Sequence, residues 1–129
     1  MTRSAYDAIV AHAQDARPYE ACGILSGSGG LITEVYPAEN ASPTKAISYE
    51  IGPKELLRIF RQLDDRDVEH LGIYHSHPFT RAYPSDTDIR LASYDVPYVI
   101  VSLRDERAPY VKAFSIREGG VTEEPIELV

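Results

Sequence analysis

The chain has 129 residues, a formal net charge of −7 and one cysteine, Cys22. This length suits one domain with its own core, and we expect a single domain over residues 1–129. The charge argues against nucleic acid and membrane surfaces as partners. One cysteine excludes an intrachain disulfide, and the absence of a long apolar run or a signal-peptide core predicts a cytoplasmic protein.

The first elements are predicted as a helix followed by a hairpin. Apolar residues recur at helical spacing over residues 4–16, and Pro18 ends this helix. Two short apolar strands, 20–27 and 31–40, flank a glycine-rich turn. The segment 41–51 is predicted as a loop that leads into a further short strand.

The rest of the chain alternates between helices and strands. Residues 52–65 predict a helix with Pro53 at its first position and one core-facing side made of Leu56, Leu57, Phe60 and Leu63. We then expect a strand at 70–77, a short helix at 85–95 and strands at 97–104, 108–116 and 121–129. This order indicates an α/β fold, a mixed sheet flanked by helices.

Two histidines stand one residue apart on the strand 70–77. His75 and His77 lie on one face of the strand, with Cβ atoms about 7 Å apart. Ser85 suits the N-cap of the following helix, which puts Asp88 at its third position. Two imidazoles and one carboxylate leave the fourth position of a tetrahedral zinc open, as in catalytic zinc sites.

Simpler interpretations of the same residues remain open. Ser85 could be only a helix cap, and Asp88 and Asp86 could serve only the helix dipole. Glu20, at the junction before the first strand, is the best candidate for a proton shuttle, but it could be an ordinary exposed carboxylate. Cys22 has no neighbouring charge that would stabilise a thiolate, so we interpret it as a small buried hydrophobe.

The spacing of "HSHP", six residues and "SDTD" resembles the signature of the JAMM (MPN-plus) zinc metalloproteases. "YEACGILSG" resembles the glutamate-bearing segment of the stand-alone bacterial and archaeal members, and the similarity extends over residues 5–105. The resemblance implies the fold of that family, a single-domain mixed sheet flanked by helices with a cytidine-deaminase-like architecture.

The same resemblance implies the roles of five residues. Zinc would be bound by His75, His77 and Asp88, Glu20 would be the general base, and Ser85 would hydrogen-bond the oxyanion. The implied reaction is cleavage of a peptide or isopeptide bond after the C-terminal glycine of a small ubiquitin-like or sulfur-carrier protein that ends in Gly-Gly. The chain lacks room for the long insertions of ubiquitin-chain enzymes, which favours the compact bacterial type.

Two other functions compete with this interpretation. A non-catalytic MPN scaffold that only binds proteins is the alternative, and the five intact motif residues argue against it. A zinc-dependent nucleobase deaminase would need an H-x-E and a P-C-x-x-C segment, which this chain lacks. The sequence leaves open whether the chain forms a homodimer.

Overall fold

A computed structural model describes the whole chain from Met1 to Val129. It contains three helices and six strands. In chain order these are α1 (Arg3–Ala16), β1 (Cys22–Ser28), β2 (Leu31–Ala38), α2 (Pro53–Arg66), β3 (Glu69–His77), α3 (Asp86–Leu91), β4 (Tyr98–Ser102), β5 (Tyr110–Arg117) and β6 (Gly120–Glu124). None of the helices is both long enough and apolar enough to cross a lipid bilayer.

The six strands form one mixed sheet in the order β2-β1-β3-β4-β5-β6. Only β3 and β4 run parallel, and every other neighbouring pair is antiparallel. A parallel pair requires a crossover connection, and here the crossover carries α3. The mixed α/β sheet predicted from the sequence is therefore confirmed.

The sheet has a separate apolar cluster on each face. On one face, Ile9 of α1 packs in a cluster with Tyr74. On the other face, Leu63 of α2 packs in a cluster with Ile73. Because side chains alternate along a strand, His75 projects from the same face as Ile73. The histidine pair thus lies on the side of the sheet that α2 covers.

Most predicted boundaries lie within two residues of the observed ones, but three predicted elements differ more. The short strand expected before α2 is only an isolated bridge between Asn40 and Ile51, because the residues between them form a loop with its own side-chain hydrogen bonds. The short helix ends at Leu91 instead of 95. The last strand ends at Glu124, since Pro125 has no N–H to donate to a ladder.

The core-facing side of α2 also differs from the prediction, which included Leu57 and omitted Ile59. Ile59 and Leu63 are buried, and Leu56 and Phe60 pack against the same cluster. These four follow the i, i+3, i+4, i+7 spacing of a single helical face. Leu57 is one position off that face and is 52% exposed, so its assignment to the core was wrong.

Candidate metal centre and active site

The register of the sheet brings the segment before β1 to the end of β3 that carries the histidines. Cys22 is the antiparallel partner of His75. One residue earlier, the Ala21 N–H donates to Ser76 Oγ at 2.8 Å, and the Ala21 carbonyl accepts from the Ser76 N–H at 3.0 Å. Glu20 precedes this pair of hydrogen bonds and therefore lies beside the imidazoles.

Ligand atoms from His75, His77 and Asp88 converge on one point. Asp88 Oδ2 lies 3.0 Å from His75 Nε2 and 3.1 Å from His77 Nε2, and the two nitrogens are 3.1 Å apart. All three residues are buried. Tetrahedral zinc with bonds of about 2.0–2.1 Å separates its ligand atoms by about 3.3–3.4 Å. The triangle is thus within a few tenths of an ångström of that size, and its donor set suits zinc.

Contacts outside the triangle orient both imidazoles. His77 Nδ1 donates to the carbonyl of Arg81 at 2.8 Å, which leaves the lone pair on Nε2. The ring of Tyr49 stacks on His75 with centroids 4.4 Å apart and an interplanar angle of 22°. Both rings are therefore held with Nε2 toward Asp88.

The first turn of α3 contains the capping box that the S-x-x-D pattern predicts. Ser85 Oγ accepts from the Asp88 N–H at 3.0 Å, and the Ser85 N–H donates to Asp88 Oδ2 at 2.9 Å. The placement of Ser85 at the N-cap and Asp88 at N3 is confirmed. Because the hydroxyl accepts in this bond, its own hydrogen remains free to donate to a substrate oxygen.

Glu20 presents a second carboxylate to the histidine pair. A carboxylate oxygen of Glu20 and the ring nitrogens of His75 and His77 all lie within 4.8 Å of one another. The side chain is buried, and Oε1 has no hydrogen-bond partner in the chain. Asp88 is the closer of the two carboxylates, since its Oδ2 contacts both Nε2 atoms. Glu20 is therefore the more distant carboxylate, and its Oε1 atom is not occupied by any contact within the chain.

Burial and neighbouring charges set the protonation of Glu20. Burial raises the pKa of Glu20 to about 8, the positive charge of His77 opposes this shift, and the negative charge of Asp88 adds to it. A bound cation would act in the same direction as His77 and lower this pKa. A carboxyl group whose pKa lies near neutrality is suited to accept and return a proton.

The three converging residues have pKa shifts in different directions. Burial alone would raise the pKa of Asp88, but His75, His77 and the Ser85 N–H hold it well below its usual range. Burial lowers the pKa of His75. For His77 burial acts in the same direction, but hydrogen bonds to Asp88 and the Arg81 carbonyl outweigh it and raise the pKa. A bound cation would therefore compete with a proton for His77.

A recess beside Asp88 was not predicted from the sequence. It is a cavity of about 290 Å³ with Asp88 and Tyr49 in its wall. Its apolar and aromatic lining comes from Ile24, Ile51, Leu56, Ile73, Leu91, Tyr94 and Tyr98. These residues belong to several elements that are distant in the sequence, so no local pattern could reveal the recess.

The other two histidines and the cysteine do not take part in this cluster. His12 Nδ1 is 2.6 Å from the hydroxyl of Tyr74, on the face of the sheet that α1 covers. His70 packs against Phe60 and Tyr94. Cys22 is fully buried, and burial raises the pKa of its thiol to about 12. Burial therefore keeps the Cys22 thiol protonated, which makes it unsuited to nucleophilic attack.

Comparisons with known proteins agree with this geometry. A family model described as prokaryotic homologs of the JAB domain matches residues 2–117. A CysO-cysteine peptidase of Mycobacterium tuberculosis is 42% identical over 128 residues, which cover 95% of this chain and 86% of that protein. A desampylase of Haloferax volcanii is 31% identical over 100 residues, covering 73% of this chain and 72% of that protein.

A solved structure gives the same result for the fold. The solution structure of a Desulfitobacterium hafniense protein matches with a TM-score of 0.90 and 36% identity, covering 99% of this chain and 90% of that one. The family match spans most of the chain, and the named relatives are peptidases or conjugate-cleaving enzymes. The chain therefore belongs to the prokaryotic JAB-domain family and is a JAMM-type peptidase.

Proposed function

We propose that this chain is a zinc-dependent peptidase or isopeptidase that cleaves after the C-terminal glycine of a small ubiquitin-like or sulfur-carrier protein. The observation that carries the proposal is the convergence of His75, His77 and Asp88 beside the unpaired carboxylate of Glu20. The relatives named CysO-cysteine peptidase and desampylase support a carrier protein as the substrate.

Proton transfer would fall to Glu20. His75, His77 and Asp88 would hold the zinc, and bound zinc supplies Lewis-acid activation of water and of the scissile carbonyl. Glu20 takes the proton from the attacking water and then delivers it to the leaving amine. Its Oε1 atom has no other partner in the chain, which supports this role.

Oxyanion stabilisation would fall to Ser85. Its Oγ accepts a hydrogen bond from the Asp88 N–H, which holds the hydroxyl beside Asp88. The hydrogen of the hydroxyl remains free to donate to the substrate. A pre-positioned donor of this kind stabilises the negative charge that develops on the carbonyl oxygen. One residue thus caps α3 and serves the reaction.

The substrate tail would approach through the recess beside Asp88. β3 lies between β1 and β4, so its edges are already paired and a substrate strand cannot add to it. The recess is apolar and opens next to the ligand Asp88. Glycines at the scissile bond suit such a narrow approach, because they have no Cβ to collide with buried side chains.

The test uses the zinc-loaded protein and small β-grasp carriers that end in Gly-Gly followed by a short extension. Mass spectrometry should find cleavage after the second glycine. A carrier with Ala-Ala in place of Gly-Gly is the control and should stay intact. Cleavage of both carriers, or no cleavage of any Gly-Gly carrier, would contradict the proposed function.

A further inference from the structure

Asn40 lies just after β2 and links the active-site segment to the adjoining loop, residues 41–50. We propose that Asn40 is a positioning residue for Glu20, because its side-chain amide holds the backbone from which Glu20 reaches the imidazoles. The inference rests on the proposed function, in which Glu20 moves the proton.

The amide nitrogen of Asn40 bonds to the Glu20 segment. Asn40 Nδ2 donates to the carbonyl oxygen of Glu20 at 3.0 Å and to that of Ser48 at 3.0 Å, and it lies 3.5 Å from that of Lys45. All three partners are carbonyls, which only accept. This nitrogen therefore ties Glu20 directly to the loop.

The amide oxygen of Asn40 bonds only to the loop itself. Asn40 Oδ1 accepts from the N–H groups of Ser42 at 2.9 Å and Glu50 at 3.2 Å. Because one end of the amide faces only acceptors and the other only donors, its orientation is determined by the chemistry. The two ends can thus be tested separately, one for the contact with Glu20 and one for the loop.

Glu20 depends on these contacts because it lies outside the sheet. It precedes β1, so its own N–H and carbonyl make no strand-ladder hydrogen bonds, and on the sheet side only the next N–H, that of Ala21, is held, by Ser76 Oγ. Its N–H donates to the carbonyl of Lys45 at 2.8 Å, in the same loop, and its carbonyl accepts from Asn40. With Oε1 unpaired, the place of the carboxylate is set largely by this backbone.

The same loop also supplies Tyr49, whose ring stacks on His75. Asn40 therefore organises a loop that contacts both the proposed base and a proposed ligand. An error of about 1 Å in the placement of a reacting group can cost about 100-fold in rate. A loosened Glu20 backbone should accordingly lower kcat rather than substrate binding.

Asn40→Asp separates the two ends of the amide. It keeps an oxygen for the N–H groups of Ser42 and Glu50 but turns a second oxygen toward the carbonyl of Glu20. We expect kcat to fall about 10- to 100-fold, with KM within a few-fold of wild type and zinc content unchanged. Asn40→Ala, which removes the amide without adding a charge, should also lower kcat.

Ser48→Ala is the matched control in the same loop. It removes hydroxyl hydrogen bonds to Ser42 and Thr44 but leaves every bond of Asn40 in place. Its kcat should stay within a few-fold of wild type. If kcat falls as far in Ser48→Ala as in Asn40→Asp, any disruption of the loop is enough to lower the rate. That result would overturn the inference.

A double variant tests whether Asn40 acts through Glu20. In a Glu20→Gln background, Asn40→Asp should cause little further loss, because residues that act as a unit are not additive. Single-turnover assays give the residual rate. A further loss equal to that in the wild-type background would overturn the inference.

Hydrogen exchange supplies a readout that needs no substrate. In Asn40→Asp the Glu20 amide should exchange faster, while the Ser42 and Glu50 amides keep their protection. Unchanged exchange at Glu20 would overturn the inference even if activity fell. An inactive wild type would instead overturn the proposed function, so the two failures are distinguishable.

Discussion

The Nε2 atoms of His75 and His77 lie 3.1 Å apart, and both face Oδ2 of Asp88. Two imidazole lone pairs at this distance repel each other unless a proton or a cation lies between them. The strand holds the rings on one face, and α3 brings the carboxylate to them. The geometry therefore favours one bound cation that all three residues share.

His77→Ala should remove the bound metal. Wild type purified without added metal should contain about one zinc per chain, and the variant should contain far less, because one of three protein ligands is lost. Elemental analysis measures the content. His70→Gln is the control, since His70 lies outside the centre. Undiminished zinc in His77→Ala would rule out this ligand set.

Glu20→Gln should keep the metal and the fold but lose hydrolysis. The amide has the shape of the carboxyl group but cannot take a proton, and a general base contributes about 10²–10⁴-fold. The comparison is a single-turnover assay beside zinc analysis, with Glu39→Gln as the exposed control. Activity of Glu20→Gln within a few-fold of wild type would place the base elsewhere.

Ser85→Ala should lower kcat by about 10²–10³-fold, the usual cost of losing one oxyanion donor. It also removes a helix cap worth about 0.5–2 kcal/mol, so stability must be measured in parallel. Ser85→Thr keeps both functions of the hydroxyl and should restore most of the rate. Asp86→Asn, in the same turn, should have little effect. A Thr variant as slow as the Ala variant would refute the oxyanion role.

The placement of the histidine pair and that of the Ser85–Asp88 pair could each be predicted from the sequence, because each placement is local. A two-residue spacing on a strand fixes the shared face of His75 and His77, and a capping box fixes Ser85 against Asp88. The alternation of elements likewise predicted the mixed sheet. The two pairs need only the period of a strand and the first turn of a helix, and the sheet needs only the order of the elements.

The parts that could not be predicted depend on contacts between distant segments. Tyr49 stacks on His75 from a loop with no regular structure, and the recess beside Asp88 is assembled from several elements. From the sequence, Asn40 is only a weak candidate for substrate contact, because its bond to the backbone carbonyl of Glu20 joins two separate segments and leaves no local pattern. Leu57 was wrongly assigned to the core because both Leu57 and its neighbour Leu56 approximately match the helical spacing of apolar residues.

Stability should depend on pH through His12. Burial lowers its pKa, and the negative charge of Asp15 opposes this only in part. The unfolded chain therefore takes up a proton near pH 6.5, whereas the folded chain takes it up only at lower pH. The stabilisation is present above pH 6.5 and is lost as the pH falls below that value.

His12→Gln checks this sign. Glutamine can still bond to the Tyr74 hydroxyl but does not titrate, so its free energy of unfolding should fall less between pH 7.5 and pH 5.5 than that of wild type. Urea unfolding at both values gives the two differences. Burial also lowers the pKa of His70, but His70 is present in both wild type and variant, so its contribution cancels in the comparison. An equal fall in the free energy of unfolding for wild type and His12→Gln would contradict the prediction.

Carrier proteins should be better substrates than ubiquitin chains. The recess beside Asp88 is only about 290 Å³, and the longest connection between two elements is the loop of residues 39–52. Recognition then rests on the extended tail and one face of the carrier, with few contacts to the residues beyond the scissile bond. Carriers that end in Gly-Gly plus different short extensions should turn over at similar rates, and Lys-linked di-ubiquitin should be slow. Mass spectrometry at matched concentrations compares them. Faster turnover of di-ubiquitin than of every carrier fusion would identify a deubiquitinase instead.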